Sequence, residues 1–304
     1  MDSINTSYSD KMISELKEKY ESLLLMYNMT TMHLQKVQND LLSANQNLKK
    51  VNTSLMESLR YAKHIQDAFV IDEKTLQYSF EQSFLIHKPK DIVSGDFAWY
   101  YQYNKNIFLA IGDCTGHGVP GAMLSIFAVN ILNQIANSTA NDYPSELIKS
   151  LDERVTKYLT RNSNFSHDSL EIGIIRFNTE TNRITYAGSK RPLVLIRNGE
   201  EKIFQGSKFL IGNPKIQKEI EDISIDVEPN DMLYLFSDGF TDQFGSAENK
   251  KFGSKRFVEL LKSISTLPVK EQSIELKKIF DEWKGNNPQM DDVIVLGLKI
   301  MSNQ

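Results

Sequence analysis

One cysteine, Cys114, stands in 304 residues. A lone cysteine excludes an intramolecular disulfide, and no cysteine/histidine cluster has structural-zinc spacing. The chain therefore reads as a protein of a reducing compartment whose metals, if any, rest on carboxylates. Positive charge is not in excess either. A formal net charge of -4 provides no basic stripe to neutralise phosphates, which excludes a dedicated nucleic-acid binder. Long apolar runs are also missing: no stretch of about 18 or more apolar residues is present. Met1 to Asp10 is polar and acidic rather than basic and then apolar. The expectation is a cytoplasmic chain without a secretion signal or a membrane span.

Glycine and proline are absent from Met1 to Lys88, so nothing there breaks a helix. Apolar residues recur in heptads along Ile13, Leu16, Tyr20, Leu23, Tyr27, Thr30, Leu34, Val37, Leu41, Ala44, Leu48, Val51, Leu55, Ser58, Ala62 and Ile65, with only Thr30 and Ser58 interrupting the seam. Such sustained periodicity predicts a coiled coil. At 1.5 Å rise per residue the helix is roughly 80 Å long, more than a compact domain covers, so its seam calls for a second chain. An αα-hairpin needs a turn, and the polar candidates at Asn28–Thr31 and Ser43–Asn47 contain no breaker. A homodimer through residues 13–65 is expected. Leucines at a with valine or isoleucine at some d positions leave higher oligomers open.

Beyond Lys88 the texture changes to short apolar runs and turn signals, and a domain boundary is expected with residues 1–72 as coiled coil and linker and 73–304 as a globular domain. Strands are predicted at Ser79–His87, Phe97–Tyr103, Ile107–Gly112, Leu170–Asn178, Arg183–Ala187, Leu193–Arg197, Glu201–Phe204, Ile220–Val227, Met232–Ser237 and Val293–Ile300. Asn198-Gly199 and Pro229-Asn230 are turn dipeptides. Helices are predicted at Pro120–Asn137, Pro144–Leu159, Ser254–Ser265 and Pro268–Lys284, with prolines suited to first turns. Antiparallel strands with helices inserted in pairs give an α+β fold, a two-sheet antiparallel β-sandwich flanked by helix pairs, preceded by the long helix.

Four aspartates fall at strand ends: Asp96 before Phe97, Asp113 after Gly112, Asp238 after Ser237, and Asp291 ahead of Val293. A two-residue turn at Asn104-Lys105 pairs Tyr103 with Asn106 and, followed outward, sets Asp96 opposite Asp113 with Cβ atoms about 5 Å apart. A three-residue turn shifts this by one position. Two ionised carboxylates that close repel, and one takes up a proton unless a divalent cation intervenes. All-oxygen ligation selects Mg²⁺ or Mn²⁺. Asp113 also opens Gly112-Asp113-Cys114-Thr115-Gly116-His117-Gly118-Val119-Pro120-Gly121-Ala122, a glycine-dense loop from strand into helix that allows close approach of an ion or phosphate. A Cys114/His117 nucleophile and base is the competing reading, yet residues three apart in a tight loop need not face each other.

Several segments resemble the SpoIIE-type branch of the PPM metal-dependent phosphatases, from about Leu59 to Ile300. Lys88-Pro89-Lys90-Asp91-Ile92-Val93-Ser94-Gly95-Asp96-Phe97 is similar to the first acidic motif, and Gly112 to Ala122 to the Asp-x-Thr-Gly-His-Gly loop. Tyr186-Ala187-Gly188 with Pro192-Leu193 resembles the central motif. Leu235 to Gly245 and Asp291 to Leu296 resemble the last two, and Ser58–Ala68 the linker helix. Departures lie at Asp168-Ser169-Leu170-Glu171, where the branch commonly reads Asp-Gly-Met-Asp, at Ser246, and at Ile294.

The resemblance implies a protein-serine/threonine phosphatase with two Mn²⁺ or Mg²⁺ ions. Asp113 would bridge both, the Cys114 carbonyl would complete one, Asp238 and Asp291 would hold the first, and Asp96 would assist the second, so that Asp113 and Asp96 serve the catalytic water. It also implies a phosphorylated regulatory protein as substrate, an anti-sigma-factor antagonist with a STAS domain. The alternatives are a catalytically inactive coiled-coil scaffold, disfavoured by the intact acidic set, and a two-metal nuclease, disfavoured by the lack of a basic track.

Overall fold

The computed structural model describes residues 2–138, 143–160, 168–213, 219–247 and 249–301, with side chains from Lys11 onward. The chain divides into two units, residues 1–58 and 59–304. Helix α1 runs Asp2–Asp67 without a break. In the first unit the heptad seam is uncovered, with Leu16, Leu41 and Leu48 each 69% exposed.

The second unit holds two antiparallel five-stranded sheets. Strands β1 (Ser83–Lys88), β6 (Leu193–Arg197), β7 (Glu200–Phe204), β9 (Met232–Phe236) and β10 (Val293–Lys299) form one, in the order β1-β10-β9-β6-β7. Strands β2 (Phe97–Tyr103), β3 (Asn106–Cys114), β4 (Leu170–Asn178), β5 (Arg183–Ser189) and β8 (Ile223–Asp226) form the other, in the order β2-β3-β4-β5-β8. Helices α3 (Gly118–Ser138) and α4 (Pro144–Leu159) accompany the second sheet, and α6 (Ser254–Ile264) and α7 (Val269–Lys284) the first.

Strand alternation sorts these layers. Leu109 and Ile111 of β3 pack between the sheets with Leu233, Leu235, Ile294 and Leu296. Their neighbours Phe108 and Ala110 face the α3/α4 layer, and Tyr234, Phe236, Val293 and Val295 face α6/α7. Each central strand is thus apolar on both faces, which is why it reads as a continuous hydrophobic run. Helix α3 has the length and hydropathy of a membrane span, but here its Ala128, Leu132 and Ile135 are buried as a layer of the sandwich.

Two segments differ from the sequence expectation. The strand expected over Ser79–His87 begins only at Ser83, because helix α2 (Glu73–Ser79) precedes it. Asp72 caps that helix, its carboxylate accepting from Thr75 N at 2.8 Å and Thr75 Oγ1 at 2.7 Å, and a satisfied N-cap outweighs the strand-like alternation that follows. The strand expected over Ile220–Val227 is confined to Ile223–Asp226, where β5 offers partners. A four-residue helix, α5 (Gly239–Asp242), was not foreseen.

Candidate active site

The β2–β3 hairpin turns through Asn104, at φ 53°, and pairs Tyr103 with Asn106 and Phe97 with Gly112. Two-residue turns of this hand favour asparagine at positive φ. The register leaves Asp96 and Asp113 next to each other at the open end of the hairpin. The β3–β4 register sets Glu171 opposite Asp113. Asp238 follows β9 and opens α5 without a side-chain capping bond, and Asp291 precedes β10. Both sheets therefore send carboxylates to one end of the sandwich.

Asp238 is placed from behind. Phe240 is buried among Phe252, Phe257 and Phe280, with ring centroids 4.5–5.1 Å away. Gly239 lies so close to the Asp292 carbonyl that a Cβ there would come within 1.9 Å of its oxygen, so a glycine is required beside Asp238. Asp292 is itself buried, and its carboxylate accepts from Lys90 N and Gly95 N, each at 2.7 Å. It holds the loop that delivers Asp96. Gln66 does so from the other side: it donates to Ser94 O at 2.6 Å and Ser125 Oγ at 3.0 Å and accepts from Ser94 N at 3.1 Å.

The glycine-dense loop is tied down at Thr115. Its N–H donates to Ser169 O, and its Oγ1 accepts from Ser169 N, both at 2.9 Å. Gly116 and Gly118 take φ of 86° and 67°, backbone that side chains resist. Cys114 and His117 do not form a pair. The thiol is buried in the α3/α4 core, and burial pushes its pKa up. His117 is exposed and bonded through Nδ1 to Asp91 at 2.8 Å. A buried thiol held protonated is no nucleophile.

At the centre of the acids stands a residue that sequence reasoning missed. Arg191 is only 5% exposed, and its Nη2 lies 2.6 Å from Asp113 Oδ2, 2.7 Å from Glu171 Oε2 and 3.2 Å from Asp238 Oδ2. Burial works against its charge, but Asp113, Asp238, Glu171 and Asp96 outweigh that and raise its pKa. One guanidinium does not balance the cluster. Asp113 is pushed up to about 7 by burial, against the pull of Arg191, with Asp238, Asp291 and Glu171 adding to the rise. Asp96 is raised well above the carboxylate range by burial and by the Asp113 charge. Its Oδ2 is buried with no hydrogen-bond partner.

A buried orphan oxygen beside a second carboxylate crowded by like charge is a donor set short of positive charge, and its all-oxygen chemistry suits hard divalent cations. Among the described residues no three His, Cys, Asp or Glu side chains are placed, as they stand, to hold a metal ion. Arg191 occupies the place where the oxygens converge. Lys88, in the first acidic motif, is paired with Asp281 and lies 4.9 Å from the Phe280 ring centroid. Asp168 precedes β4, and the acid that reaches the cluster from that segment is Glu171.

Comparison with known proteins agrees with this architecture. Phosphoserine phosphatase RsbU of Bacillus subtilis (strain 168) is 22% identical over 199 residues, covering 65% of this chain. The match spans 57% of RsbU's own length. The SiaA-PP2C domain of Pseudomonas aeruginosa superposes with a TM-score of 0.75 at 26% identity, covering 82% of this chain and 98% of that one. The PP2C phosphatase domain of SpoIIE from Bacillus subtilis, with a fragment of its regulatory domain, shares the fold at a TM-score of 0.59 and 18% identity, over 72% of this chain and 63% of that one. The family model for Stage II sporulation protein E (SpoIIE) matches residues 103–301, and the chain belongs to that family.

Proposed function

We propose that this chain is a metal-dependent protein phosphatase that hydrolyses phosphoserine or phosphothreonine. The observation that carries the reading is the under-neutralised acidic cluster: Asp113, Glu171 and Asp238 converge on a single guanidinium, Asp96 and Asp291 lie close enough to Asp113 to act on or feel its charge, and Asp96 Oδ2 is buried and unpartnered. Asp113, Asp238 and Asp291, the Cys114 carbonyl and Asp96 are the groups that would hold two Mn²⁺ or Mg²⁺ ions. Bound there, such ions lower the pKa of a coordinated water and neutralise charge on the phosphoryl oxygens.

The protein's own part is placement. The β2–β3 and β3–β4 registers fix Asp113 and Glu171 on rigid strands with Asp96 at the strand end beside them, Phe240 and Gly239 fix Asp238, and Asp292 and Gln66 hold the Asp96 loop. The buried, protonated Cys114 thiol is left out of the chemistry, so no phospho-cysteine forms.

A phosphorylated regulatory protein, such as a STAS-domain anti-sigma-factor antagonist, is the substrate that the family suggests, in the cytoplasm. The exposed heptad seam is covered, on this reading, by a second copy of residues 13–65, since the seam continues over many heptads without a break in register. The test is turnover of a phosphoserine peptide with Mn²⁺, with EDTA and an oligonucleotide as controls. Mn²⁺-dependent phosphate release from the peptide alone is expected. Absence of release at any Mn²⁺ concentration would leave the scaffold reading in its place.

A further inference from the structure

Arg191 is held too firmly to be an incidental neighbour of the acids. The residue before it, Lys190, adopts φ 58°, a left-handed conformation that costs a side-chain-bearing residue roughly 1–2 kcal/mol. Lys190 N donates to Ser207 O at 2.7 Å, and Arg191 N donates to Ser189 O at 2.8 Å. The Arg191 carbonyl accepts from the hydroxyl of Tyr186, a fully buried side chain. Strain kept in place by surrounding bonds points to a placement with a purpose. What is placed is one nitrogen, Nη2, within 3.2 Å of three carboxylate oxygens from β3, β4 and the start of α5. A nitrogen with two hydrogens cannot satisfy three acceptors equally. It sits there as a charge, at the point where a shared cation would sit.

We propose that Arg191 is a resident cation of the acidic cluster that competes with divalent metal, so that metal enters only as the guanidinium withdraws. The proposal rests on the metal-dependent reading above and adds a control to it. In the metal-free protein Arg191 keeps Asp113, Glu171 and Asp238 together against their mutual repulsion. The same contacts turn toward Nη2 the oxygens an ion would need. Space for withdrawal adjoins the site: a groove of about 820 Å³ is lined by Arg191, Glu171, Lys190, Gln205, Lys208 and Asp238. Apparent affinity for the ion is then reduced by the fraction of molecules in which Arg191 has withdrawn.

Calorimetric titration of the metal-free full chain with Mn²⁺, beside Arg191→Met and Arg191→Lys, tests this without any substrate. Arg191→Met is expected to bind Mn²⁺ about tenfold or more tightly than wild type, as it would if the withdrawn state were about one-tenth populated, and Arg191→Lys to fall between. Uptake with equal or weaker affinity in Arg191→Met would overturn the proposal while leaving the metal reading intact. No uptake by any of the three would overturn both. Because loss of the guanidinium exposes carboxylate repulsion and can unfold the variant, the wild-type protein supplies a second measurement. The Arg191 side-chain ¹⁵N–¹H signals, identified by their loss in Arg191→Lys, are expected to shift from protected to exchanging as Mg²⁺ is added. Signals that stay unchanged at saturating Mg²⁺ would sink the competition.

Discussion

Leu132 in α3 is fully buried, and Leu41 in α1 is 69% exposed, although both belong to long helices patterned with apolar residues. In the sandwich every apolar stripe meets another layer of the same chain. Along residues 11–58 this chain supplies no such layer, and side chains that each gain about 1.5–3 kcal/mol on full burial are left uncovered by it. One unit has its stabilisation within itself and gathers charge at one end. The other has its stabilisation deferred to whatever covers the seam. The contrast separates two kinds of variant: those that harm chemistry and leave assembly alone, and those that do the reverse.

The largest effect is expected on the chemical side. Asp113→Asn removes a charge from the centre of the cluster while keeping its shape, and phosphatase activity should fall by at least about 10²-fold, the scale of losing one electrostatic contact to a transition state. Cys114→Ser should keep most of its activity, because the thiol is packed in the α3/α4 core and held protonated. Turnover with a phosphoserine peptide measures both. The metal mechanism is refuted by an active Asp113→Asn beside a dead Cys114→Ser. Neither change should alter the mass measured by light scattering.

The reverse variant is Leu34→Asp with Leu41→Asp. Charges at two a positions are expected to convert the oligomer into monomers, while the thermal transition of the sandwich moves little. Multi-angle light scattering and calorimetry read the two halves separately. A wild-type protein that is monomeric at micromolar concentration ends the assembly reading.

Much of this division was legible in the sequence, and the reasons differ by residue. The heptads and the absence of glycine and proline up to Lys88 identify α1, because helix periodicity is local. The Asn104-Lys105 turn sets the hairpin register, and counting along it places Asp96 beside Asp113. Continuing the count across β3 and β4 would have reached Glu171, but that pairing depends on a connection through two helices, whose register no short-range signal gives. Arg191 was missed because Ser189-Lys190-Arg191-Pro192 reads as a polar surface turn. Only the fold brings it under Asp238. Asp292 was overlooked beside Asp291, since adjacent strand-end acids look alike until the loop they bind is in view. Helix α2 was lost to alternation, although Asp72 and Thr75 carried its cap.

Gln66 tests where the two units part. It lies on α1, yet it is buried in the second unit and bonded to Ser94 and Ser125. A fragment beginning near Glu73 lacks it, whereas one beginning at Leu59 keeps it. Gln66→Leu leaves the Ser94 amide without its partner and the Ser94 carbonyl with only the 3.3 Å bond from Ser125 Oγ, at a cost of about 1–3 kcal/mol. Urea titration of the 59–304 fragment with and without the change measures this, and an unchanged midpoint would remove Gln66 as a support of the Asp96 loop.

The smallest effect expected is a pH dependence that belongs to the sandwich. His87 is partly buried, its Nε2 3.2 Å from Ser94 Oγ, and its pKa is lowered to about 4 by burial first and by Lys63 second, with Asp292 and Asp67 opposing. In the unfolded chain an imidazole titrates near 6.5. Between those values the unfolded state binds a proton that the folded state does not. Folding is therefore fully supported above about pH 6.5 and loses support as pH falls toward 4. Because the ring keeps some exposure, the loss is set at roughly 1–2 kcal/mol, below the full conversion of the shift. Asp113 and Asp96 titrate in the same experiment, so the informative quantity is the difference between wild type and His87→Gln. In EDTA, wild type should lose about 1–2 kcal/mol more than the variant between pH 7 and pH 5. Parallel losses would show that His87 accepts its proton in the folded sandwich, and that the end of β1 is wetter than its packing against the Ser94 loop implies.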